Sequence, residues 1–192
     1  MKKLFLFLVV ALMALSAYSQ TESEHMKFMG IPIDGTLDEF KSKLIAKGFV
    51  PNPNDKNFLH GTFAGCDNST IVCYYNKTNN LMYAVGVLFP YSDEWIILSS
   101  HYYSLKEMLT QKYGEPKEQK EVFLDPDMAK DDTSKMIQLK LKKADFISTF
   151  YNQDKGLILL TILSTEMQCN VSLYYADTIN KLKTNYDVMD DL

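Results

Sequence analysis

The chain has 192 residues and a formal net charge of −4, and 46% of its residues are hydrophobic. This length suits a single domain that can bury a core without disulfides or metals. All 20 of its basic residues are Lys. Because Arg is the usual reader of phosphates and guanine, this composition and the acidic balance argue against nucleic-acid binding.

The first 19 residues have the pattern of a secretory signal peptide. Two Lys residues form a charged start, residues 4–15 are an unbroken apolar run, and small residues follow at Ala17 and Ser19. The alternative is a membrane anchor, which needs about 20 apolar residues, more than this run supplies. We therefore expect cleavage near Ser19, delivery to the periplasm or the cell exterior, and a mature domain over residues 20–192 without a membrane span.

One helix and several strands fill the first half of the mature chain. Residues 28–33 are typical of a short edge strand, and Thr36 with Glu39 forms a capping box that starts a helix. Turn residues then separate three strands, which we predict at residues 58–64, 70–75 and 81–89.

The three cysteines, Cys66, Cys73 and Cys169, leave at least one thiol unpaired in any disulfide arrangement. With a turn predicted at residues 67–69, Cys66 and Cys73 face each other across a short hairpin. This pair is therefore the disulfide to test in an oxidising compartment. The alternative is that all three are small buried thiols.

Residues 92–116 predict the longest helix. Six apolar residues recur at steps of three and four, which places them on one side of the helix: Trp95, Leu98, Tyr102, Leu105, Leu109 and Tyr113. Ser92 is the predicted N-cap, Tyr91 and Ile96 form a predicted hydrophobic staple, and Gly114 ends the helix. The apolar side must be buried against the neighbouring strands.

The second half begins with a charged edge strand at residues 117–124. Residues 135–143 fit both a strand and a helix, and we favour the helix. Three strands follow, at residues 146–151, 157–163 and 169–175. The middle one is apolar on both faces, so we expect a central strand that is covered on both sides. A short closing helix is predicted, with an apolar side formed by Ile179, Leu182 and Tyr186.

These elements predict an α+β fold in which antiparallel β meanders are covered by two main α-helices. A helix followed by strands occurs twice, which indicates two related halves at residues 26–91 and 92–192. Residues 36–40 also resemble residues 104–108 in sequence.

Four segments resemble a group of small exported proteins of uncharacterised function from Gram-negative anaerobic bacteria. These segments are residues 28–33, the helix that begins at Thr36, residues 113–116 and residues 171–175. The resemblance implies export but carries no functional residue over. The layout of a helix with a meander is also similar to that of β-lactamase-inhibitor-like domains, and a shared layout is weak evidence for function.

The sequence contains no motif for nucleophilic catalysis, phosphate binding or dinucleotide binding. His60 lies near Cys66 and Cys73 in sequence, but this spacing fits no standard zinc site. The acidic residues 125–132 lack the central Gly and the closing Glu of a calcium loop. We therefore predict no catalytic residue, no metal site and no cofactor.

Tyrosine is abundant, with 12 residues that include adjacent pairs at residues 74–75 and 174–175. Neighbours in a strand point to opposite faces, so one Tyr of each pair faces away from the core. Tyr74, Tyr151 and Tyr174 are the candidate binding residues, because Tyr offers apolar area and a hydroxyl at low entropic cost. The alternative is that Tyr only suits half-buried sheet faces.

The sequence favours an exported, non-catalytic binding or interaction protein whose ligand is another protein, a peptide or a glycan. One alternative is a secreted hydrolase that uses carboxylates or a Cys-His pair. It requires a cleft with two polar groups within hydrogen-bond distance. Another alternative is an inhibitor of a secreted hydrolase, which would present a protruding loop and no cleft.

Overall fold

Ten strands form two antiparallel sheets in the structure, a computed structural model that describes residues 25–152 and 155–183. A small hairpin at the start pairs β1 (Lys27–Phe28) with β2 (Ile31–Pro32). The main sheet contains eight strands: β3 (Val50–Pro51), β4 (Phe58–Phe63), β5 (Cys66–Tyr75), β6 (Met82–Leu88), β7 (Glu118–Phe123), β8 (Ala144–Asn152), β9 (Gly156–Thr165) and β10 (Gln168–Asp177).

The main sheet consists of two blocks of consecutive strands. Their order across the sheet is β3-β4-β5-β6-β10-β9-β8-β7, and every neighbouring pair is antiparallel. Each predicted half supplies one block, and the blocks meet where β6 pairs with β10. The predicted α+β fold with antiparallel meanders is confirmed. A common origin of the two halves stays a prediction.

Three helices of nine or more residues accompany the sheet in the described part of the chain: α1 (Leu37–Ile45), α2 (Trp95–Tyr113) and α3 (Asp132–Lys140). The predicted capping box of α1 is present, since the Thr36 hydroxyl accepts from the Glu39 N–H and the Glu39 carboxylate accepts from the Thr36 N–H. The helix α3 has an equivalent box formed by Asp131 and Ser134, so the preference for a helix in this ambiguous segment is confirmed.

The long helix α2 buries the predicted apolar stripe. Trp95, Leu98, Tyr102, Leu105 and Leu109 are all buried, and Tyr113 packs against the same core. Only the start of the helix differs from the prediction.

The helix α2 begins at Trp95, three residues after the predicted cap. Its N-cap is Glu94, which makes no side-chain cap bond, whereas the Ser92 hydroxyl accepts from the Glu94 N–H at 3.1 Å. Tyr91 and Ile96 are both exposed, so they do not form the predicted staple.

The described helices pack on one face of the main sheet. Tyr102 of α2 is hydrogen-bonded to Ser148 of β8, and His101 contacts Phe89, the residue that follows β6. Behind α1, Phe49 lies against Gly61 of β4. The inward residues of this face belong to one hydrophobic core, so this is the face that the described helices cover.

The expectation that residues 157–163 are covered on both sides is wrong for the described part of the chain. In β9, Ile158 and Leu160 are fully buried in the core. Leu157 and Leu159 alternate with them and therefore lie on the opposite face, where both are partly exposed. The strand is central, as predicted, but only one of its faces contacts helices.

The turn between β4 and β5 lies at Ala64 and Gly65, not at the predicted residues 67–69. Both turn residues have positive φ, 49° and 77°, as a two-residue hairpin turn requires. Phe63 and Cys66 pair directly beside the turn. As a result β5 starts earlier and is longer than predicted.

Several of the sequence-based predictions fall outside the described residues: the signal peptide at residues 1–19, its cleavage after Ser19, and Tyr186. Residues 178–183 are helical, where the closing helix was expected. Within residues 25–152 and 155–183, no helix has both the length and the hydrophobicity needed to cross a membrane.

Replacing Leu105 by Ala should destabilise the protein by about 2–5 kcal/mol, because the buried side chain would leave a cavity between α2 and the sheet. Met108→Ala removes an exposed side chain from the same helix and should cost roughly 0.5 kcal/mol or less. Urea unfolding followed by circular dichroism measures both changes. Equal losses for the two variants would contradict the burial of this stripe.

Candidate binding surface

The face of the main sheet opposite the helices, called the open face, is defined by three rows of paired residues. Each row takes one residue from each of β5, β6, β10, β9 and β8. The first row contains Tyr74, Ala84, Ala176, Leu157 and Tyr151; the second contains Val72, Gly86, Tyr174, Leu159 and Thr149; the third contains Thr70, Leu88, Ser172, Thr161 and Ile147.

The open face is uncharged. None of the residues in the three rows is charged, although charged residues make up 23% of the chain. Charge begins at the rim, on β7, where Glu118 lies beside Thr149 and Lys120 beside Ile147. With strands about 4.8 Å apart and rows about 6.8 Å apart, the face measures roughly 24 Å by 20 Å. Seven of its fifteen residues are buried, among them Val72, Ala84 and Ala176, so the accessible part of this footprint is smaller.

The three predicted Tyr residues all lie on the open face. The rings of Tyr74 and Tyr174 meet edge to face, with centroids 5.5 Å apart and planes at 70°. Tyr151 shares the first row with Tyr74, but four strand spacings, about 19 Å, separate the two. Tyr74 is 37% exposed and Tyr151 is 46% exposed. The face therefore presents a pair of Tyr residues near one side and a single Tyr at the other.

Tyr83 joins this pair, although the sequence did not predict it. Simple alternation along β6 would place Tyr83 on the covered face beside Val85. A register shift between β5 and β6 at Tyr74 and Tyr75 interrupts the alternation, and the Tyr83 ring lies 6.4 Å from that of Tyr74. No residue pattern in the sequence marks this shift.

Gly86 allows the Tyr74 ring to lie close to the sheet. A Cβ atom at this position would come within 3.2 Å of the Tyr74 ring and 3.4 Å of Val72. The ring therefore lies over the backbone of β6, where a larger residue would crowd it. This packing fixes the position of an exposed aromatic side chain.

Burial raises the pKa of the phenols in this cluster. The pKa of Tyr174 is raised to about 12, first by burial and then by its neighbours Tyr83 and Tyr74. The pKa of Tyr74 is raised by the same two kinds of effect, with burial the larger. These hydroxyls are consequently neutral hydrogen-bonding groups at physiological pH, and the face stays uncharged.

The predicted disulfide between Cys66 and Cys73 is not formed, and the three cysteines are free thiols. Because the turn lies before Cys66, both residues belong to β5. Seven residues along one strand span roughly 23 Å, whereas a disulfide needs Cα atoms within about 7 Å. The alternative reading, buried thiols, describes Cys73 and Cys169.

The structure does not assemble the Cys-His pair of the hydrolase alternative from Cys73 and His60. The Cys73 side chain faces the core, and burial raises its pKa to about 12. His60 faces the other side of the sheet, where its ring nitrogens contact Asn52 and Thr70. His101 packs on Phe89. In these positions neither His activates the Cys73 thiol.

A cluster of polar side chains lies on the covered face, beneath α2. The Tyr102 hydroxyl contacts the Ser148 hydroxyl at 2.8 Å and donates to the Glu121 carboxylate at 3.3 Å, and the Lys106 ammonium donates to the same carboxylate. Tyr102 and Ser148 are fully buried. A substrate therefore has no access to the Ser148 hydroxyl, and the cluster serves to satisfy polar groups beneath α2.

A groove of 340 Å³ between the start of α2 and α3 is lined by both apolar and acidic residues: Asp93, Glu94, Trp95, Ile96, Asp132, Thr133, Met136, Ile137 and Lys140. Its Asp93 carboxylate is paired with Lys140 at 2.7 Å. In the described part of the chain, no group of three or more His, Cys, Asp or Glu residues is arranged to hold a metal.

Comparisons with protein-family models, with curated proteins and with solved structures find no match to this chain. Its function is therefore inferred from the residues of the open face and from their surroundings.

The raised pKa of Tyr174 predicts a pH-dependent stability. An unfolded Tyr has a pKa of about 10, so the stabilisation from the buried neutral phenol is complete below pH 10. It is lost as the pH rises towards 12. We expect Tyr174→Phe to lose less stability than the wild type between pH 9 and 12 in urea unfolding. Tyr91→Phe, at an exposed site, should follow the wild type; if Tyr174→Phe did so too, the prediction would be wrong.

The three thiols should react in a fixed order with an alkylating reagent. Cys66 is partly exposed, whereas Cys73 and Cys169 are buried, so Cys66 should be labelled first and the others only after unfolding. Mass spectrometry of tryptic peptides, with and without urea, measures this order. Recovery of a Cys66–Cys73 disulfide peptide from the native protein would contradict the strand assignment.

Proposed function

We propose that the mature chain is an exported, non-catalytic interaction protein that binds a polypeptide through the open face. The observation that carries the proposal is the uncharged area on β5, β6, β10, β9 and β8, which exposes the rings of Tyr74 and Tyr151. Aromatic enrichment and depletion of charge are the compositional marks of the centre of a protein interface.

The accessible residues of the open face support binding. The face has a footprint of roughly 480 Å², and eight of its fifteen residues are exposed or partly exposed. Leu157 and Leu159 lie partly exposed within it, and each remains in contact with water unless a partner covers the face. Removal of such side chains from water is the main driving force of association.

The side chains favour a polypeptide over a glycan. Aliphatic residues occupy much of the face, among them Val72, Leu88 and Ile147, and they offer nothing to the hydroxyls of a sugar. The Tyr74 and Tyr174 rings stand at 70° to each other, so they do not form one flat platform. Apolar side chains of a protein partner fit such a ridged surface.

At Ser148, Cys73 and Asp93 the described residues offer the hydrolase alternative no accessible pair of reactive groups. It needs two polar groups that converge in a cleft. The Ser148 hydroxyl is fully buried, the Cys73 thiol is protonated and faces the core, and Asp93 is paired with Lys140 across the groove. The inhibitor alternative also requires a protein partner, so the capture experiment described next tests it as well.

Affinity capture from the native envelope tests the proposal. The mature protein with a tag, the variant Tyr174→Lys and the control variant Tyr91→Lys are each used as bait. We expect a polypeptide to be retained by the wild type and by Tyr91→Lys, whose substitution lies off the open face. Tyr174→Lys should lose it at least about tenfold, because a charge without a partner would be buried at the contact.

Two results would contradict this function. Equal retention by Tyr174→Lys and by the wild type would place binding on another surface. The second result is a glycan that is retained by the wild type and by Tyr91→Lys but lost by Tyr174→Lys. The open face would then remain the binding site, but its ligand would be a glycan and not a polypeptide.

A further inference from the structure

We propose that the partner of the open face is a second copy of this chain, packed sheet against sheet about a two-fold axis. This inference rests on the proposed function, because it names the partner of the same surface. Two sheets that pack face to face keep their strands within about 30° of each other and lie about 10 Å apart. The assembly would then have four layers, with helices outside and two sheets inside.

The pattern of β9 is the first argument for a covering sheet. Along β9 apolar residues occupy both faces, which is typical of a strand buried on both sides. The described helices cover only Ile158, Leu160 and Ile162. A sheet from a second copy would cover Leu157 and Leu159.

Charge is the second argument. The chain has a net charge of −4, so contact between two copies is less opposed where it brings no like charges close together. The open face meets this condition. The sheet edges are less suited to pairing: β7 carries Glu118, Lys120 and Glu121, and β3 is an uncharged strand of only two residues, one of which is Pro51. Such edges oppose pairing between strands of two copies.

The sizes of the side chains are the third argument. A two-fold axis that runs along β10 keeps each row opposite itself and exchanges β6 with β9 and β5 with β8. Leu157 of one copy then lies opposite Ala84 of the other, and Leu88 lies opposite Thr161. In both pairs a large side chain meets a small one, which is what interdigitating sheets need.

The same axis brings the Tyr residues together. Tyr174 lies on β10, next to the axis, and therefore meets Tyr174 of the second copy. Tyr74 and Tyr151, which occupy opposite ends of the first row, become neighbours across the interface. All three Tyr residues thus lie in aromatic contacts that two separate copies lack.

The area fits a reversible dimer. Two footprints of roughly 480 Å² each give about 1,000 Å² in total, and seven of the fifteen residues in each are already buried in the single chain. The contact therefore lies at the small end for protein interfaces, where association is weak. Self-association should therefore depend on concentration. Sedimentation velocity of the mature protein over about 1 to 300 µM should show the change from monomer to dimer.

A charge exchange between two variants tests the two-fold arrangement. Tyr74→Lys and Tyr151→Glu should each weaken self-association at least about tenfold, because each buries a charge without a partner. An equal mixture of the two variants should regain association to within about threefold of the wild type, because the ammonium introduced in one copy would face the carboxylate introduced in the other. Within one chain the two positions are about 19 Å apart and cannot pair.

Tyr91→Lys is the matched control, because it adds the same charge at an exposed Tyr outside the open face, and it should dimerise like the wild type. Circular dichroism shows whether each variant is folded. If Tyr74→Lys unfolds, Tyr151→Glu, at a site separate from the Tyr74 cluster, still tests whether a charge on the open face weakens self-association.

Each outcome decides between the proposals. A wild type that stays monomeric throughout overturns the second-copy inference. The proposed function still stands in that case if Tyr174→Lys loses a captured partner. A dimer that neither charge weakens overturns the inference as well, and it places self-association elsewhere. Loss in both variants without recovery in the mixture rejects the two-fold axis along β10.

Discussion

The burial of one stripe of α2 against one face of the main sheet is the interaction on which the rest of the structure depends. Trp95, Tyr102 and Leu105 lie in the same core as the inward residues of β8, β9 and β10. Because the helix crosses these strands and α3 packs beside it, the second block of the sheet has its covered face filled. The first block is covered on the same side by α1 and the β1–β2 hairpin.

This one-sided arrangement explains the open face. In an antiparallel sheet the residues of each strand alternate between the two faces, so every residue packed under a helix implies a neighbour on the other side. In most exposed sheet faces those neighbours are polar or charged. In the three rows across β5, β6, β10, β9 and β8 they are Tyr, aliphatic, Gly and small hydroxyl residues without any charge, and this is the basis of the proposed partner surface.

The sequence was sufficient wherever a pattern repeats over many residues. Spacing of three and four predicted the buried side of α2, and alternation placed Tyr74 and Tyr174 on one face. It was insufficient where a single residue sets the geometry. The turn at Gly65 was overlooked because residues 67–69 have stronger turn composition, and this error alone produced the predicted disulfide. The position of Tyr83 beside Tyr74 could not be predicted, because it results from a register shift between β5 and β6 that is visible only in the paired strands.

The most direct test of whether the sheet has one covered and one open face is nitration of the tyrosines of the mature protein in dilute solution. Mass spectrometry then measures the extent of nitration at each Tyr. Tyr74 and Tyr151 should be modified in the native protein. Tyr102 and Tyr175, which are buried on the covered face, should react only after unfolding. If Tyr102 or Tyr175 reacted as fast as Tyr74, the helices would not cover that face, and the one-sided burial of the sheet would be contradicted.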